Sequence, residues 1–200
     1  MLIFVKERLV LLAVPKTGTT ALEAALAPRA GLVLRDPPQI KHAPLYRYRR
    51  FVEPMLRQVG AEGFETLAVL REPVDWLGSW WRYRRRADLA GTPASTADVD
   101  FAQFVSDYAR ARPPPHAGVG SQARFIAGAE GIGVTHLFRH DRMPELMRFL
   151  EDRLGPLPKL QRLNVSPPMP LELPQGVLAR LHRRRPEEFE AWRAACQPVS

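Results

Sequence analysis

Apolar residues in this chain fall into short runs and into helical spacings, and the two kinds alternate along its length. Residues 8–14 (RLVLLAV) are an almost unbroken apolar run ending at Pro15, the pattern of a strand buried on both faces. Residues 1–5 (MLIFV) form another short strand, set off from the first by Lys6, Glu7 and Arg8. A helix is predicted over residues 19–26 and a short strand over 31–35 (GLVLR). The spacing of Leu45, Tyr48, Phe51, Val52, Met55 and Val59 predicts a helix over residues 43–59. Residues 64–70 (FETLAVL) read as a second central strand, and Pro73 suits the first turn of a helix reaching to about Arg86. Asp100 can cap a helix over residues 101–111, and Ser121 a short one through Ala127. A third strand over 133–138 (GVTHLF) precedes a helix that Pro144 opens and Gly155 closes. Two helices, residues 177–184 and 186–195, follow.

Strands alternating with helices predict an α/β layer fold with a central, mainly parallel sheet flanked by helices. In such sheets ligands bind beyond the carboxyl ends of the strands. The Pro-rich stretches at 37–38, 113–115 and 167–168 are too short to be linkers and no repeat is present, so residues 1–200 are expected to form one domain. No run approaches the eighteen or so apolar residues that span a bilayer. The charged N-terminal segment has no small-residue cleavage site, so no membrane span and a cytoplasmic location are expected.

Cysteine usage and charge narrow the chemistry. The single cysteine, Cys196, excludes a disulfide framework and a cysteine-rich zinc site within one chain. The five histidines show no paired metal-binding spacing, and no metal is expected. Net charge is +8, which fits either a solvated basic surface or an anionic partner. Charge alone does not separate nucleic acid, a phosphorylated nucleotide and a sulfated polysaccharide.

Two motifs sharpen the choice. After the first buried strand comes Val14-Pro15-Lys16-Thr17-Gly18-Thr19-Thr20, then a helix. A helix N-terminus has unpaired N–H groups and a positive dipole end. Gly18 allows close backbone approach to an anion, Thr17, Thr19 and Thr20 offer hydroxyls, and Lys16 adds a charge. The same residues also make an ordinary strand-to-helix turn. The ATP-binding pattern GxxxxGK[ST] is absent, since Lys16 precedes the glycine. The second motif follows the second central strand: Arg71-Glu72-Pro73, then Ser79 eight positions on from Arg71. Arginine presents a planar fork suited to phosphate oxygens. Asp75, Ser79, Arg82 and Arg86 share one helix face. Val74, Leu77, Trp80 and Trp81 occupy the opposite faces, available for packing.

The stretch PKTGTT resembles the 5′-phosphosulfate loop of sulfotransferases that use 3′-phosphoadenosine 5′-phosphosulfate (PAPS). Arg71 with Ser79 resembles the 3′-phosphate signature of the same family. Both motifs stand at strand ends and in the family's order. The resemblance covers about residues 10–26 and 66–82, and it implies a P-loop NTPase-like three-layer fold. It further implies PAPS as donor and 3′,5′-diphosphoadenosine (PAP) as product, held by Pro15, Lys16, Thr17, Gly18, Thr19, Thr20, Arg71 and Ser79.

Sulfuryl transfer, like phosphoryl transfer, rests on positioning and electrostatic stabilisation. Lys16 is expected to neutralise charge on the leaving 5′-phosphate. His42, in Lys41-His42-Ala43, is the expected base for a hydroxyl or amine acceptor; such a Lys-His-Ala stretch occurs near the acceptor in several relatives. His140 is the alternative base, beside Asp141, which matches a structural acidic residue of the family. Lys41, Gln122 and Asn164 are further candidate substrate-binding residues, and the arginine runs at 47–50 and 82–86 can gather an anionic acceptor or simply face solvent. The acceptor, a small molecule or carbohydrate, is not specified by the sequence, nor is an oligomeric state. Two other classes compete: a nucleotide kinase or other P-loop NTPase, and a basic nucleic-acid-binding module. The latter is suggested by arginines interleaved with Trp80, Trp81 and Tyr83, but no nucleic-acid motif accompanies them and nucleic acid is not an expected partner.

Overall fold

A computed structural model describes residues 1–158, 160, 169 and 171–195. Asn164 and Cys196 lie outside the described residues.

Among the described residues the main sheet has five strands, in the spatial order β3-β1-β2-β4-β7. These are β1 Leu2–Phe4, β2 Leu9–Leu11, β3 Leu32–Val33, β4 Glu65–Leu70 and β7 His136–Arg139. β2 pairs in parallel with β4, and β4 with β7. The sheet is nevertheless mixed, because β1 runs antiparallel to both β2 and β3. The expectation of a mainly parallel sheet is therefore corrected at this edge. The reason is local: the charged turn between β1 and β2, with Arg8 at φ 53, folds the two into a hairpin, as a connection this short must.

Alternate strand residues enter two different cores. Leu2, Phe4, Leu9, Leu11, Leu67 and Val69 pack with Leu22 and Leu26 of α1 (Thr19–Leu26) and with Leu146, Leu150 and Leu154 of α8 (Met143–Leu154). Ile3, Val10, Leu12, Ala68 and Leu70 face the other way, against Leu45, Tyr48 and Leu56, α7 (Gln122–Phe125) and α10 (Pro186–Ala194). Period-two alternation thus places helices on both sheet faces. Each fully buried leucine contributes about 1.5–3 kcal/mol. A third apolar cluster joins α5 (Pro73–Arg84), α6 (Phe101–Tyr108) and α9 (Gln175–Arg184) around Trp76, Trp81, Phe104 and Phe189.

Three local departures from the sequence expectation have identifiable causes. The helix expected over 43–59 is interrupted: α3 (Leu45–Arg47) and α4 (Glu53–Gln58) flank a π-turn, Tyr48–Val52. Pro54 accounts for it, since its ring would clash with the carbonyl four residues back in a regular α-helix. The short helix α2, Pro38–Lys41, lies in a segment for which the sequence predicts no element. A two-stranded ribbon, β5 (Ala127–Gly128) with β6 (Gly131–Ile132), precedes β7. By contrast, the expected caps form: the side chains of Asp100 and Ser121 accept from Gln103 N (2.8 Å) and Arg124 N (3.1 Å).

Candidate anion-binding site

Beyond the carboxyl ends of β2, β4 and β7 lies a cavity of about 560 Å³. The loop between β2 and α1 forms one wall and α5 forms the other. The loop turns sharply because two of its residues have left-handed backbones, Lys16 at φ 67 and Gly18 at φ 81. Glycine adopts this conformation readily, whereas lysine is strained there. Three contacts hold the turn. Thr17 is buried and its hydroxyl donates to the Val14 carbonyl (2.9 Å), the Trp76 indole N–H donates to the Pro15 carbonyl (3.0 Å), and Arg71 Nη1 reaches the Lys16 carbonyl (3.4 Å). Trp76 and Arg71 both belong to the second motif, so the two motifs are mechanically joined.

Pro15, Lys16, Gly18, Thr19 and Thr20 line the cavity from the loop, and Arg71 and Ser79 line it from the β4–α5 side. The Ser79 hydroxyl makes no hydrogen bond among the described residues. Thr17 is the exception among the loop candidates: its hydroxyl is turned inward and shapes the loop, so it is not offered to a ligand. Arg82 and Arg86 also line the cavity, as their shared face with Ser79 predicts. Trp80, expected to pack away from that face, lines the cavity too, along with Tyr83. The Lys16 ammonium lies 4.0 Å from the Tyr83 ring centroid and 5.7 Å from that of Trp80, in cation–π contact. No carboxylate pairs with Lys16 among the described residues. Burial, with Arg86, Arg71 and Arg82 nearby, pulls this ammonium down to about 8.

Arg71 is held on every side. Asp75 accepts from Nε and, at 2.9 Å, from Nη2. With the Lys16 carbonyl this engages three of the five guanidinium N–H groups and leaves one on each terminal nitrogen. The Arg71 backbone is gripped by Gln122, whose side chain accepts from Arg71 N and donates to Arg71 O, both at 2.9 Å. Gln122 is 1% exposed. This corrects the expectation that it binds substrate: it positions Arg71. Gln122 is anchored in turn by Glu188, a buried carboxylate that accepts from Gln122 N (3.1 Å), Ala123 N (3.3 Å) and Tyr108 Oη (3.0 Å). Burial raises the Glu188 carboxyl above its usual range, opposed by these hydrogen bonds.

Lys41 is likewise corrected. Its ammonium pairs with Glu23 (2.9 Å), which also holds Arg35, and it does not line the cavity. Both candidate bases do line it. His42 Nδ1–H donates to the Ala13 carbonyl (2.7 Å), which leaves Nε2 as the acceptor of the neutral ring. Burial keeps His42 below the ordinary imidazole value, the nearby Lys41 and N-terminal charges adding to the effect. His140 packs beside Gly18 and is lowered by burial and by Arg71. The other histidines are engaged elsewhere: His116 with Asp107 (3.0 Å), His136 with Glu65 (2.6 Å), and His182 stacked on Phe189. Asp141 pairs with Arg139 at the end of β7.

Trp76, Gln122 and Glu188 as tethers escape sequence reasoning, because each acts across a long separation; only the interrupted polar face of α5 signalled Arg82 and Arg86 in advance. Among the described residues no group of three metal-ligating side chains converges, and no helix is long and apolar enough to cross a membrane. No family model, no curated protein and no solved structure matches this chain.

Proposed function

We propose that this protein is a sulfotransferase that moves a sulfuryl group from PAPS to a hydroxyl or amine acceptor, on a fold of the P-loop type. The observation that carries the reading is that Lys16 and Arg71, 55 residues apart in sequence, meet at one cavity. Each motif alone is an ordinary turn; together they make a site with two anion-binding ends. The size suits a nucleotide, since ligand cavities run about 300–1,000 Å³. The charge suits it too: Lys16, Arg71 and Arg82 line the cavity, and Asp75 pairs with the two arginines. A phosphate monoester alone carries about −1.5 to −2.

In this reading Arg71 and Ser79 hold the 3′-phosphate, and the 16–20 loop holds the 5′-phosphosulfate. The acceptor oxygen attacks sulfur in line as the bond from sulfur to the phosphate oxygen breaks. The acceptor proton passes to His42 Nε2, and PAP leaves with the electron pair, its charge met by Lys16 and the loop N–H groups. An NTPase reading is disfavoured because the lysine stands two positions before Gly18, outside the helix start. A nucleic-acid reading is disfavoured because Arg84 and Arg85 bind backbone carbonyls of their own chain.

Titration with PAP tests the proposal. PAP is expected to raise the melting temperature in a concentration-dependent way, and the protein to transfer radiolabelled sulfate from PAPS without added metal. Absence of a PAP shift at millimolar concentration, with magnesium-dependent ATP turnover instead, sinks it.

The pH profile of kcat/KM for donor is a second check, because it reports groups of the free enzyme. The active forms are neutral His42 and charged Lys16. Since the His42 value is lowered, activity persists below the ordinary imidazole value and falls only as pH drops further. Loss of the Lys16 proton gives a basic limb near pH 8. His42→Gln is expected to lower kcat and abolish the acid limb; an unchanged limb in that variant assigns the base to His140.

A further inference from the structure

The arginines at 82–86 divide into two sets. Arg84 donates to the carbonyls of Pro115 (2.5 Å) and Gly118 (3.3 Å), and Arg85 to those of Thr96 (3.0 Å) and Val99 (3.3 Å). These two fasten the 96–118 segment to α5. Arg82 turns toward the cavity, 3.9 Å from Asp75. Arg86, just past the end of α5, is exposed at the cavity rim and makes no side-chain hydrogen bond or ion pair among the described residues. Its guanidinium lies 5.1 Å from the centroid of the Tyr83 ring, the ring that also carries Lys16 at 4.0 Å. Two cations therefore share one ring, and neither forms an ion pair among the described residues.

The donor does not account for Arg86. Its 3′-phosphate is matched by Arg71 and Ser79, with Arg82 behind Asp75, and its 5′-phosphosulfate by Lys16, Thr19 and Thr20. Arg86 remains on the Lys16 side of the cavity, where the sulfuryl group is transferred and the acceptor must approach. A guanidinium fork there matches a carboxylate, sulfate or phosphate ester in two-point contact, and a neutral acceptor leaves it with no partner. We infer that the acceptor carries an oxyanion of its own next to the reacting hydroxyl, and that Arg86 selects for it. This inference rests on the sulfuryl-donor reading above.

Calorimetric titration in two stages tests it. PAP is first titrated onto wild type, Arg86→Ala and Arg86→Lys, and its affinity is expected to change by less than about threefold, well under the tenfold that 1.4 kcal/mol represents. D-glucuronate, glucose 6-sulfate and glucose are then titrated separately onto the PAP-saturated proteins. At least one charged sugar is expected to bind wild type and glucose not to bind. Arg86→Ala is expected to lose this binding by tenfold or more, and Arg86→Lys to be intermediate. The glucuronate and sulfate arms tell carboxylate from ester recognition. A tenfold loss of PAP affinity in Arg86→Ala overturns the inference by returning Arg86 to the donor. So does equal response of wild type and Arg86→Ala to both charged sugars, or binding of neither. Failure of wild type to bind PAP marks the failure of the donor reading instead.

Discussion

Replacing Lys16 with methionine is expected to make the protein more stable while weakening its hold on the proposed donor. The Lys16 ammonium is half-buried, lacks an acidic partner among the described residues, and is pushed toward its neutral form by burial and by Arg86, Arg71 and Arg82. A buried charge without a counter-ion lowers stability. Methionine keeps the length and the apolar contact with Tyr83 while removing the charge. It does not relieve the left-handed backbone at φ 67, so any gain reports the charge alone. A gain of 1 kcal/mol corresponds to about 2–4 °C in a domain of this size, and a rise of a few degrees is expected by differential scanning calorimetry. PAP affinity is expected to fall by roughly 10–100-fold, from hydrogen bonds to a charged group worth about 1.5–3 kcal/mol. A lower melting temperature in Lys16→Met refutes the view that this lysine is retained for binding at the expense of the fold.

Arg71→Ala is expected to separate donor recognition from folding in a different way. PAP affinity should drop on the order of 100-fold, because a bidentate charged contact is lost and the 3′-phosphate is left facing Asp75. Adenosine 5′-phosphosulfate, which lacks the 3′-phosphate, should bind wild type and Arg71→Ala within a few-fold of each other. Gln122→Ala is expected to show the same selectivity in smaller measure, about tenfold, since it loosens the backbone that carries Arg71 without touching the ligand. Equal losses for both nucleotides in Arg71→Ala show that the arginine supports the loop through the Lys16 carbonyl and does not read the 3′ end. Calorimetry on the two ligands decides between these outcomes.

Local chemistry made some features legible in the sequence. The apolar run at 8–14, the helix caps Asp100 and Ser121, and the turn around Gly18 depend on neighbours in sequence, and all three appear where composition places them. The polar face joining Ser79 and Arg82 follows from helical geometry and holds, while Arg86 reaches the same cavity from just past the helix end. Strand pairing was not legible: β1 could face β2 in either sense on apolar content alone, and the short charged turn decides it. Gln122 reads as a free polar side chain in isolation, and only the fold brings it to Arg71, 51 residues away in sequence. Lys41 misleads for the converse reason. A lysine beside a candidate catalytic histidine suggests ligand contact, but Glu23, distant in sequence, takes its charge. Trp80 packs against the Trp76 cluster as its helix position predicts, and its ring also forms part of the cavity wall, which only the fold reveals.

The tie from Glu188 through Gln122 to Arg71 bears on the order in which the molecule matures. The loop at 15–20 and then Arg71 are synthesised before α10, which places the carboxylate that braces them. A nascent chain on the ribosome can assemble the strand scaffold long before residue 188 leaves the exit tunnel, but its arginine is still unbraced. Bracing of Arg71 at the cavity is thus a late step, completed only once α10 has been made and has packed in place.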